Sequence, residues 1–435
     1  MASISNRGQK AAITELRSDF KLYFEAINDL YHETNNPEGK FPINMAENRL
    51  SWTILSDKIS LLLKSNEIPS WVASYTGIAG QEDFVKAISS FMSKFLCKTK
   101  IDPEHIICSA GATAVYDLLS WVLCDDKEVC LIPAPSYPVY TQDIANRSTV
   151  ERYDVQSHYE LLEIKEGLCL NIKQLDNARE AVMAQGKKVS MLILTSPDNP
   201  TGGIYSTGQL EIIAGWCIEN KIHLVVNELY GLSIIDESHP SISQDYSSSI
   251  KFNSFATIMH KLRSDYLHLT YGLSKDLGIS GFRVGVVYSM NEEFRLAYKN
   301  LNAPHLVSNF TQWILSLLLS DFDFMKSYVK ENKLRITERY ASVISILRDN
   351  SVAYVPSRGS LFIWIDLSPW LSENTEAAEE DLWSNIYYHT GVLLTPGRGF
   401  GNKKKGHYRI VYSFLDKHAM EKAMHRLMNY LQKLK

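Results

Sequence analysis

The chain has 435 residues and a formal net charge of −4, with 45% hydrophobic and 22% charged residues. This composition is ordinary for a globular enzyme with a large apolar core, and the length predicts about three domain-sized units or one large α/β domain with additions. A pI near 6.3 offers no global basic field, so we expect no nucleic-acid partner.

Six cysteines are dispersed along the chain, at positions 97, 108, 124, 130, 169 and 217. None forms a C-x-x-C pair and no cluster has zinc spacing, so we predict no metal site. Dispersed cysteines are typical of reduced thiols in the cytoplasm. The N-terminus lacks the apolar segment of a signal peptide, and the most apolar run (310–322) is too short to span a bilayer. We therefore expect a cytoplasmic protein without a membrane partner.

The predicted elements begin with an amphipathic helix over residues 9–34, which the Pro- and Gly-containing stretch 35–42 ends. Helical spacing returns over 83–98. Short apolar runs then alternate with helical stretches such as 207–219. The segments that begin with a predicted strand are 105–123, 128–140, 189–206, 223–231 and 266–278. This alternation predicts a mostly parallel, doubly wound sheet that binds ligands at the carboxyl ends of its strands.

The pattern changes after about residue 300. A helical run of roughly forty residues precedes strand-like segments at 360–367, 392–397 and 408–414 and a C-terminal helix. These elements predict a smaller α+β domain. We therefore divide the chain into an N-terminal segment over 1–60, a large domain over 61–300 and a small domain over 301–435.

Polar and small residues are concentrated in the turns after the predicted strands. SAGATA (109–114) opens a helix whose free N–H groups favour a phosphate, although a plain helix start has the same composition. SPDNPTG (196–202) and NELY (227–230) could each be an ordinary turn. Lys275 and Arg283 follow the next strand, eight residues apart. At one edge of a sheet, these turns would supply the amine, arginine and amides that a phosphate-bearing aldehyde cofactor needs.

These blocks resemble a known family. SPDNPTG, NELY and SKDLGISGFRVG, in this order, are similar to fold-type I pyridoxal phosphate (PLP) enzymes of the class I/II aminotransferase superfamily. Other blocks resemble 1-aminocyclopropane-1-carboxylate (ACC) synthases, namely PEGKFPINMAENRLSW (37–52), AGATA (110–114), LIPAPSYP (131–138) and the PG…YR spacing from 396 to 409. The resemblance covers about residues 20–432. It implies PLP as cofactor and the PLP-dependent transferase fold type I, an α/β fold with a doubly wound, seven-stranded-type sheet and a smaller α+β domain.

The resemblance implies a role for each matching residue. Lys275 and Tyr230 are the predicted catalytic residues, with Lys275 binding the cofactor aldehyde as a Schiff base and later moving the α-proton of the substrate. A solvated lysine at a strand end is the alternative for Lys275. The predicted cofactor contacts are Ala112, Thr113 and Arg283 at the phosphate, Tyr137 stacked on the ring, and Asn199, Asn227 and Tyr230 at ring atoms. Ser274 is a further predicted cofactor contact, which need not be to the phosphate. Ordinary packing beside two prolines is the alternative for Tyr137.

Three further residues concern the substrate and a partner subunit. Arg409 resembles the arginine that binds the substrate α-carboxylate, for which a planar fork of donors is suited. Glu47 matches a glutamate of ACC synthases near the amino-acid end of the substrate, with a capping or surface role as the alternative. Tyr75 resembles the tyrosine that reaches the phosphate of the neighbouring subunit. Tyr75 therefore implies a homodimer with shared active sites.

The sequence departs from the family at Asn227, where the resembled enzymes have an aspartate that keeps the pyridine nitrogen protonated. Losing a charge about 4 Å away removes on the order of 4 kcal/mol in a partly screened site, which lowers the pKa of the ring nitrogen. Glu228 is a poor substitute because consecutive strand residues face opposite sides. Whether Asn227 is engineered, adaptive or inactivating stays open.

Two smaller departures follow. Gly272 stands where the family has a phosphate-binding serine, so one donor is missing. The lysines at 403–405 form a more basic loop than in the resembled enzymes. A run of charged residues is usually a solvated surface loop, and this is the first interpretation of the three lysines. The alternative is that the loop borders the entrance of the site and attracts an anionic substrate.

Three functions are compatible with these residues. The first is an ACC synthase-like lyase that binds S-adenosylmethionine as an external aldimine and catalyses ACC formation or a related γ-elimination or γ-substitution. The second is an aminotransferase that converts an α-amino acid into a keto acid. The third is a catalytically silent binding protein, for which Asn227 is the support.

Overall fold

The computed structural model describes residues 3–13, 18–156, 168–247 and 250–434. Its strands are β1 (Ile106–Ser109), β2 (Val129–Ala134), β3 (Glu151–Gln156), β4 (Val189–Thr195), β5 (His223–Asn227), β6 (Leu267–Gly272), β7 (Gly285–Ser289), β8 (Ala353–Val355), β9 (Phe362–Asp366), β10 (Thr395–Pro396) and β11 (His407–Val411). Its α-helices are α1 (Asn6–Ile13), α2 (Ser18–Ala26), α3 (Trp52–Ser65), α4 (Glu82–Phe91), α5 (Ala112–Leu123), α6 (Tyr140–Asp143), α7 (Ile172–Met183), α8 (Thr207–Glu219), α9 (Ala256–Leu262), α10 (Leu273–Asp276), α11 (Glu292–Leu301), α12 (Asn309–Ser320), α13 (Phe322–Asp349), α14 (Glu376–Thr390) and α15 (Lys417–Lys433).

A mixed sheet forms the centre of the larger half of the molecule. Among the described residues, seven strands pair in the order β1-β7-β6-β5-β4-β2-β3. β7 is antiparallel to its neighbours β1 and β6, and the other neighbouring pairs are parallel. Strands β2 and β4 are buried along their whole length, because helices cover both faces of the sheet. Burial on both faces explains why these strands are continuous apolar runs in the sequence. The predicted α/β fold with a mostly parallel sheet is confirmed.

A second, antiparallel sheet lies in the C-terminal part. In the described ranges it has four strands in the order β10-β11-β9-β8. Helices α13, α14 and α15 contribute to its apolar core, in which Trp383 and Met424 are buried. Phe41 and Ile43 from the N-terminal part belong to the same core. The boundaries of the three-part division of the chain stay a prediction.

The structure differs from the predicted elements in two places. The helix predicted over 9–34 does not continue past Ala26, where the chain turns instead. There the Asn36 amide donates to Leu30 O at 2.9 Å and to Asp29 Oδ1 at 2.8 Å. Asparagine and aspartate side chains that bond the backbone compete with helix formation. The strand predicted over 392–397 is reduced to β10, because Leu393 N donates to Phe41 O at 3.0 Å rather than to a sheet neighbour.

No helix within the described ranges combines the length and the apolar composition needed to cross a membrane.

Candidate active site

A cavity of about 220 Å³ lies at the carboxyl ends of β2, β4, β5 and β6. The turns singled out in the sequence meet here, as expected for parallel strands that end at one edge. All predicted site residues except Glu47 and Tyr75 are in its wall. These are Ala112, Thr113, Tyr137, Asn199, Asn227, Tyr230, Ser274, Lys275, Arg283 and Arg409.

Lys275 lies on the short helix α10, directly after β6. Its Nζ donates to the backbone oxygen of Ala46 at 2.6 Å. Burial lowers the pKa of Lys275 to about 8, helped by the charges of Arg409 and Arg283 and opposed by that of Glu47. A lysine with this pKa has a substantial neutral fraction near neutral pH, which makes it a nucleophile toward a carbonyl.

Asp276 fixes the turn that carries Lys275 and was not among the predicted site residues. Its carboxylate accepts from Leu232 N at 2.9 Å, from Ser233 Oγ at 2.6 Å and from Tyr271 Oη at 3.1 Å. Burial raises the pKa of Asp276 to about 7. An acid directly after the lysine, inside an apolar stretch, was the signal that could have identified it.

Arg283 and the N-terminus of α5 form a site for an anion. Gly111 is the N-cap of α5 and no side chain caps this helix end. The guanidinium of Arg283 donates to Ser280 O at 3.1 Å and to Ala110 O at 3.4 Å. A Cβ added at Gly111, whose φ is +95°, would lie 2.4 Å from Arg283 Nη2. The free N–H groups, the helix dipole and the adjacent guanidinium fit a phosphate.

Thr113, in the first turn of α5, donates a hydrogen bond to Asp143. Asp143, which was not among the predicted site residues, is buried at the end of α6 and lies in the cavity wall. Burial raises the pKa of Asp143 to about 7, and the bond with Thr113 opposes this shift.

The Gly272 departure has a steric cause. A Cβ at Gly272 would lie 2.8 Å from Val284 O and 3.1 Å from Leu229 Cδ1. A serine therefore does not fit on this backbone without movement of the neighbouring strand. The phosphate donor that the family has at this position is absent from residue 272.

Arg409 connects three parts of the chain at the other end of the cavity. It donates to Asn199 Oδ1 at 2.8 Å and to Asn44 O at 2.7 Å. Its guanidinium lies 4.5 Å from the ring centre of Phe362, and only 5% of the residue is exposed. A buried, planar guanidinium in a cavity wall is suited to a carboxylate ligand.

Asn199 links Arg409 to Tyr230. Because Arg409 can only donate, the Asn199 oxygen faces it, and the Asn199 amide is left to donate to the Tyr230 hydroxyl. Burial raises the pKa of Tyr230, and the charge of Arg409 opposes that shift. Tyr230 is therefore a neutral phenol at the cavity wall.

Asn227 ends β5 and is held by two hydrogen bonds. Its Nδ2 donates to Tyr140 Oη at 2.7 Å, and Leu229 N donates to its Oδ1 at 3.1 Å. Glu228 faces the other side of the sheet, where Ser254 Oγ donates to it at 2.7 Å. Glu228 is therefore directed away from the cavity wall, as the alternation of strand residues predicts.

Glu47 and Tyr75 lie outside the cavity wall. Glu47 Oε2 accepts from Arg49 Nη2 at 2.8 Å and from Arg49 Nε at 3.0 Å. Its charge nevertheless reaches Lys275, whose pKa it raises. The Tyr75 side chain is fully exposed to solvent in the single chain. The roles predicted for these two residues stay predictions.

The basic loop at 403–405 has acidic neighbours. Lys404 lies 3.3 Å from Asp366 Oδ2, and Lys405 lies 2.7 Å from Glu376 Oε1. These ion pairs reduce the positive field that the loop could present to a substrate. They favour the interpretation of a surface loop over that of an anion-attracting entrance.

Comparisons with known proteins agree with this geometry. The family model for aminotransferases of class I and II matches residues 43–427. The chain is similar to 1-aminocyclopropane-1-carboxylate synthase 4 of Solanum lycopersicum, with 30% identity over 97% of this chain and 88% of the relative. It is similar to synthase 2 of the same organism, with 28% identity over 97% of this chain and 87% of the relative.

Solved structures share the fold at lower identity. A double mutant of Thermus thermophilus aspartate aminotransferase superposes with a TM-score of 0.76 and 17% identity, covering 99% of this chain and 100% of that chain. The aromatic aminotransferase of Pyrococcus horikoshii superposes with a TM-score of 0.75 and 20% identity, covering 95% of this chain and 100% of that chain. Together with the family match over most of the sequence, these findings identify the protein as a member of the class I and II aminotransferase family and a PLP-dependent enzyme.

Proposed function

We propose that Lys275 is the lysine that holds PLP and that Arg283, Thr113, Ser274 and the free N–H groups at Ala112 bind its phosphate. The further cofactor contacts we propose are Tyr137 on the ring face, Asn199 and Tyr230 at the phenolic oxygen, and Asn227 at the ring nitrogen. Two neighbouring features support this set. One is Lys275, whose pKa is lowered, and the other is the guanidinium of Arg283, which lies against Gly111 at the N-terminus of α5, where no side chain caps the helix. An amine and an anion site in one cavity match the two ends of PLP.

The substrate is an α-amino acid whose carboxylate binds Arg409. When bound, PLP acidifies the Cα–H bond of the amino acid attached to it. Lys275 Nζ then takes the α-proton, with Tyr230 as a neutral phenol nearby. The observation that carries this proposal is that Ala46 O and Asn44 O accept from Lys275 and Arg409 respectively. One short segment thus holds the base and the carboxylate-binding group next to each other.

The specific reaction we propose is that of an ACC synthase-like lyase acting on S-adenosylmethionine. Support comes from the names of the curated relatives, which match nearly the whole chain. Glu47 gives further support, because it matches a glutamate of ACC synthases, and its charge raises the pKa of Lys275. The products would be methylthioadenosine with ACC, or with a different co-product if the reaction is γ-elimination or γ-substitution.

Transamination is the second candidate. It is supported by the ion pair between Glu47 and Arg49. Glu47 is the residue by which the sequence resembles ACC synthases in particular, and in this structure its carboxylate is paired with Arg49 outside the cavity wall. Both reactions would use Lys275 and Arg409 in the same way. They differ in whether the enzyme requires a keto acid as amino-group acceptor.

We also propose a cytoplasmic homodimer in which Tyr75 reaches the neighbouring active site. Tyr75 is fully exposed, and its segment is fixed by Asn309, whose amide donates to Ser74 O at 2.5 Å. Thr76 Oγ1 donates to Asn309 Oδ1 at 2.9 Å. An exposed aromatic side chain on a well-anchored backbone is suited to insertion into a partner.

The first experiment is incubation of the PLP-loaded protein with S-adenosylmethionine and mass spectrometry of the products. Release of methylthioadenosine with ACC is the expected result. Release with another co-product indicates γ-elimination or γ-substitution. If nothing is released until a keto acid and a different amino acid are supplied, the protein is an aminotransferase. Lys275→Ala is the negative control.

A further inference from the structure

The orientation of the Asn227 amide can be assigned without ambiguity. The backbone N–H of Leu229 is a donor only, and the Asn227 atom that it meets at 3.1 Å must therefore be the oxygen. The Asn227 nitrogen consequently faces Tyr140 Oη at 2.7 Å. That nitrogen has two hydrogens, and Tyr140 accepts one of them.

The side chains that bond this amide or lie in register with it are uncharged. Thr195, Asn227 and Thr270 lie in register on β4, β5 and β6. Tyr140 Oη lies 3.0 Å from Thr195 Oγ1, and Tyr116 Oη lies 2.8 Å from Thr270 Oγ1. All five side chains are buried.

Two acids are near this set of residues, and each has other partners. Glu228 accepts from Ser254 Oγ and from Phe255 N on the opposite face of the sheet. The charge of Asp143 raises the pKa values of Tyr116 and Tyr140, but Asp143 is hydrogen-bonded to Thr113 at the start of α5. Neither acid is in hydrogen-bond contact with Asn227.

We infer that Asn227 presents an N–H donor to the ring nitrogen of PLP and that this nitrogen is bound in its unprotonated form. The inference rests on the proposed cofactor placement, in which residue 227 faces the ring nitrogen. The oxygen of the amide is engaged by Leu229, and Asn227 lies in the cavity wall with its second amide hydrogen. A donor pairs only with an acceptor, and a pyridine nitrogen accepts only when it carries no proton.

This arrangement bears on the choice of reaction. In the proposed lyase reaction, Lys275 takes the α-proton and the electron pair of the Cα–H bond forms the Cα–Cγ bond. The Cγ–S bond breaks, and its pair leaves on the sulfur of methylthioadenosine. In transamination the pair must instead be stored on the cofactor, which an uncharged ring accepts less readily. Asn227 therefore acts as a specificity-determining residue that favours loss of a leaving group over transamination.

The test is ¹⁵N NMR of the protein reconstituted with ring-¹⁵N-labelled PLP, without substrate. In the native protein at neutral pH, we expect the ¹⁵N resonance of the ring at the chemical shift of an unprotonated pyridine. In Asn227→Asp, we expect this resonance to move upfield to the chemical shift of a pyridinium. A pyridinium resonance in the native protein overturns the inference, because it means that a second lone pair of Asn227 Oδ1 accepts from a protonated ring. The visible absorption band of the lysine-bound cofactor verifies loading in each sample.

Two further variants identify the origin of the signal. Tyr140→Phe keeps the bond from Leu229 and is expected to leave the nitrogen unprotonated. Asp143→Asn is expected to do the same, and a shift of the resonance in that variant would instead assign control of the ring to Asp143. If Asn227→Asp does not fold, the native spectrum alone decides.

The product ratio gives a second readout. Asn227→Asp is expected to raise the yield of keto acid relative to methylthioadenosine, and an unchanged or lower ratio contradicts the role in reaction choice. The spectrum needs no turnover, so it is independent of the proposed activity. A pyridine resonance without methylthioadenosine release refutes the proposed substrate only, and a pyridinium resonance with release refutes the inference only.

Discussion

The guanidinium of Arg283 lies against the α-carbon of Gly111, so close that no side chain can be placed between them. The left-handed φ of Gly111, +95°, independently disfavours any residue with a Cβ. Arg283 itself has a positive φ of 55°. The anion site therefore depends on two unusual backbone conformations that face each other.

Gly111→Ala is expected to weaken PLP binding by at least tenfold, since the new Cβ displaces Arg283 from the helix start. Equilibrium titration of the apoprotein with PLP measures this. Gly215→Ala is the matched control, because nothing lies within 4 Å of a Cβ at that helical position. There the change should stabilise the fold by about 0.5–1 kcal/mol and leave PLP affinity unchanged. Equal affinity in the two variants would contradict the proposed phosphate site.

Lys275→Ala is expected to abolish the visible absorption band of the lysine-bound cofactor and to remove catalytic activity. The fold should persist, because Asp276 and its three partners hold the turn independently of the lysine. Lys261→Ala, which removes an exposed lysine paired with Glu211, controls for the loss of a positive charge. Survival of the band in Lys275→Ala would refute the assignment of Lys275.

The rate of PLP attachment to the apoprotein is expected to rise with pH and to reach half its maximum near pH 8. Burial lowers the pKa of Lys275 to about 8, and only the unprotonated amine attacks the aldehyde. The Glu47 carboxylate raises that pKa, so Glu47→Gln should move the profile to lower pH. Stopped-flow absorbance measures both profiles. A native profile that still rises at the pKa of an ordinary lysine would show that Lys275 is not perturbed.

Arg409→Lys is expected to weaken binding of α-amino acids about ten- to a hundredfold. A lysine cannot make both hydrogen bonds of the planar guanidinium to a carboxylate, and one hydrogen bond to a charged group contributes about 1.5–3 kcal/mol. Titration of the cofactor absorbance with an amino acid gives the dissociation constant. Arg348→Lys, which alters a second arginine with an acidic partner, Asp245, is the control. An amine without a carboxylate should bind native protein and Arg409→Lys equally, and a difference for that ligand would argue against carboxylate recognition.

Local sequence was sufficient to predict the elements with strong periodicity or turn chemistry. Helix α8 begins and ends at the predicted residues, since Ser206 and Gln209 form a capping box before an apolar run. Asn199, Lys275 and Arg283 could be predicted because each follows a buried strand in a turn rich in glycine or proline. The parallel sheet then brings them together.

Contacts between distant segments could not be predicted in this way. Tyr140 reaches Asn227 across 87 positions of sequence, and no local pattern encodes that bond. No sequence signal marks Asp143, and the raised pKa values of Asp143 and Asp276 arise mainly from burial in the folded chain. The network around the candidate site is therefore a property of the tertiary structure.

The carbonyl groups of Asn44 and Ala46 have a practical consequence for mutational scanning. Because main-chain oxygens make these bonds to Arg409 and Lys275, replacing the side chain at either position leaves the bonding atom in place. Asn44→Ala would thus remove only the side-chain bond from Asn44 Nδ2 to Asp19 O, and alanine scanning cannot test the contribution of Ala46 at all. Deletion of residues before position 48 would instead remove both supports at once, so a shortened protein that retains every predicted catalytic side chain should still lose its activity.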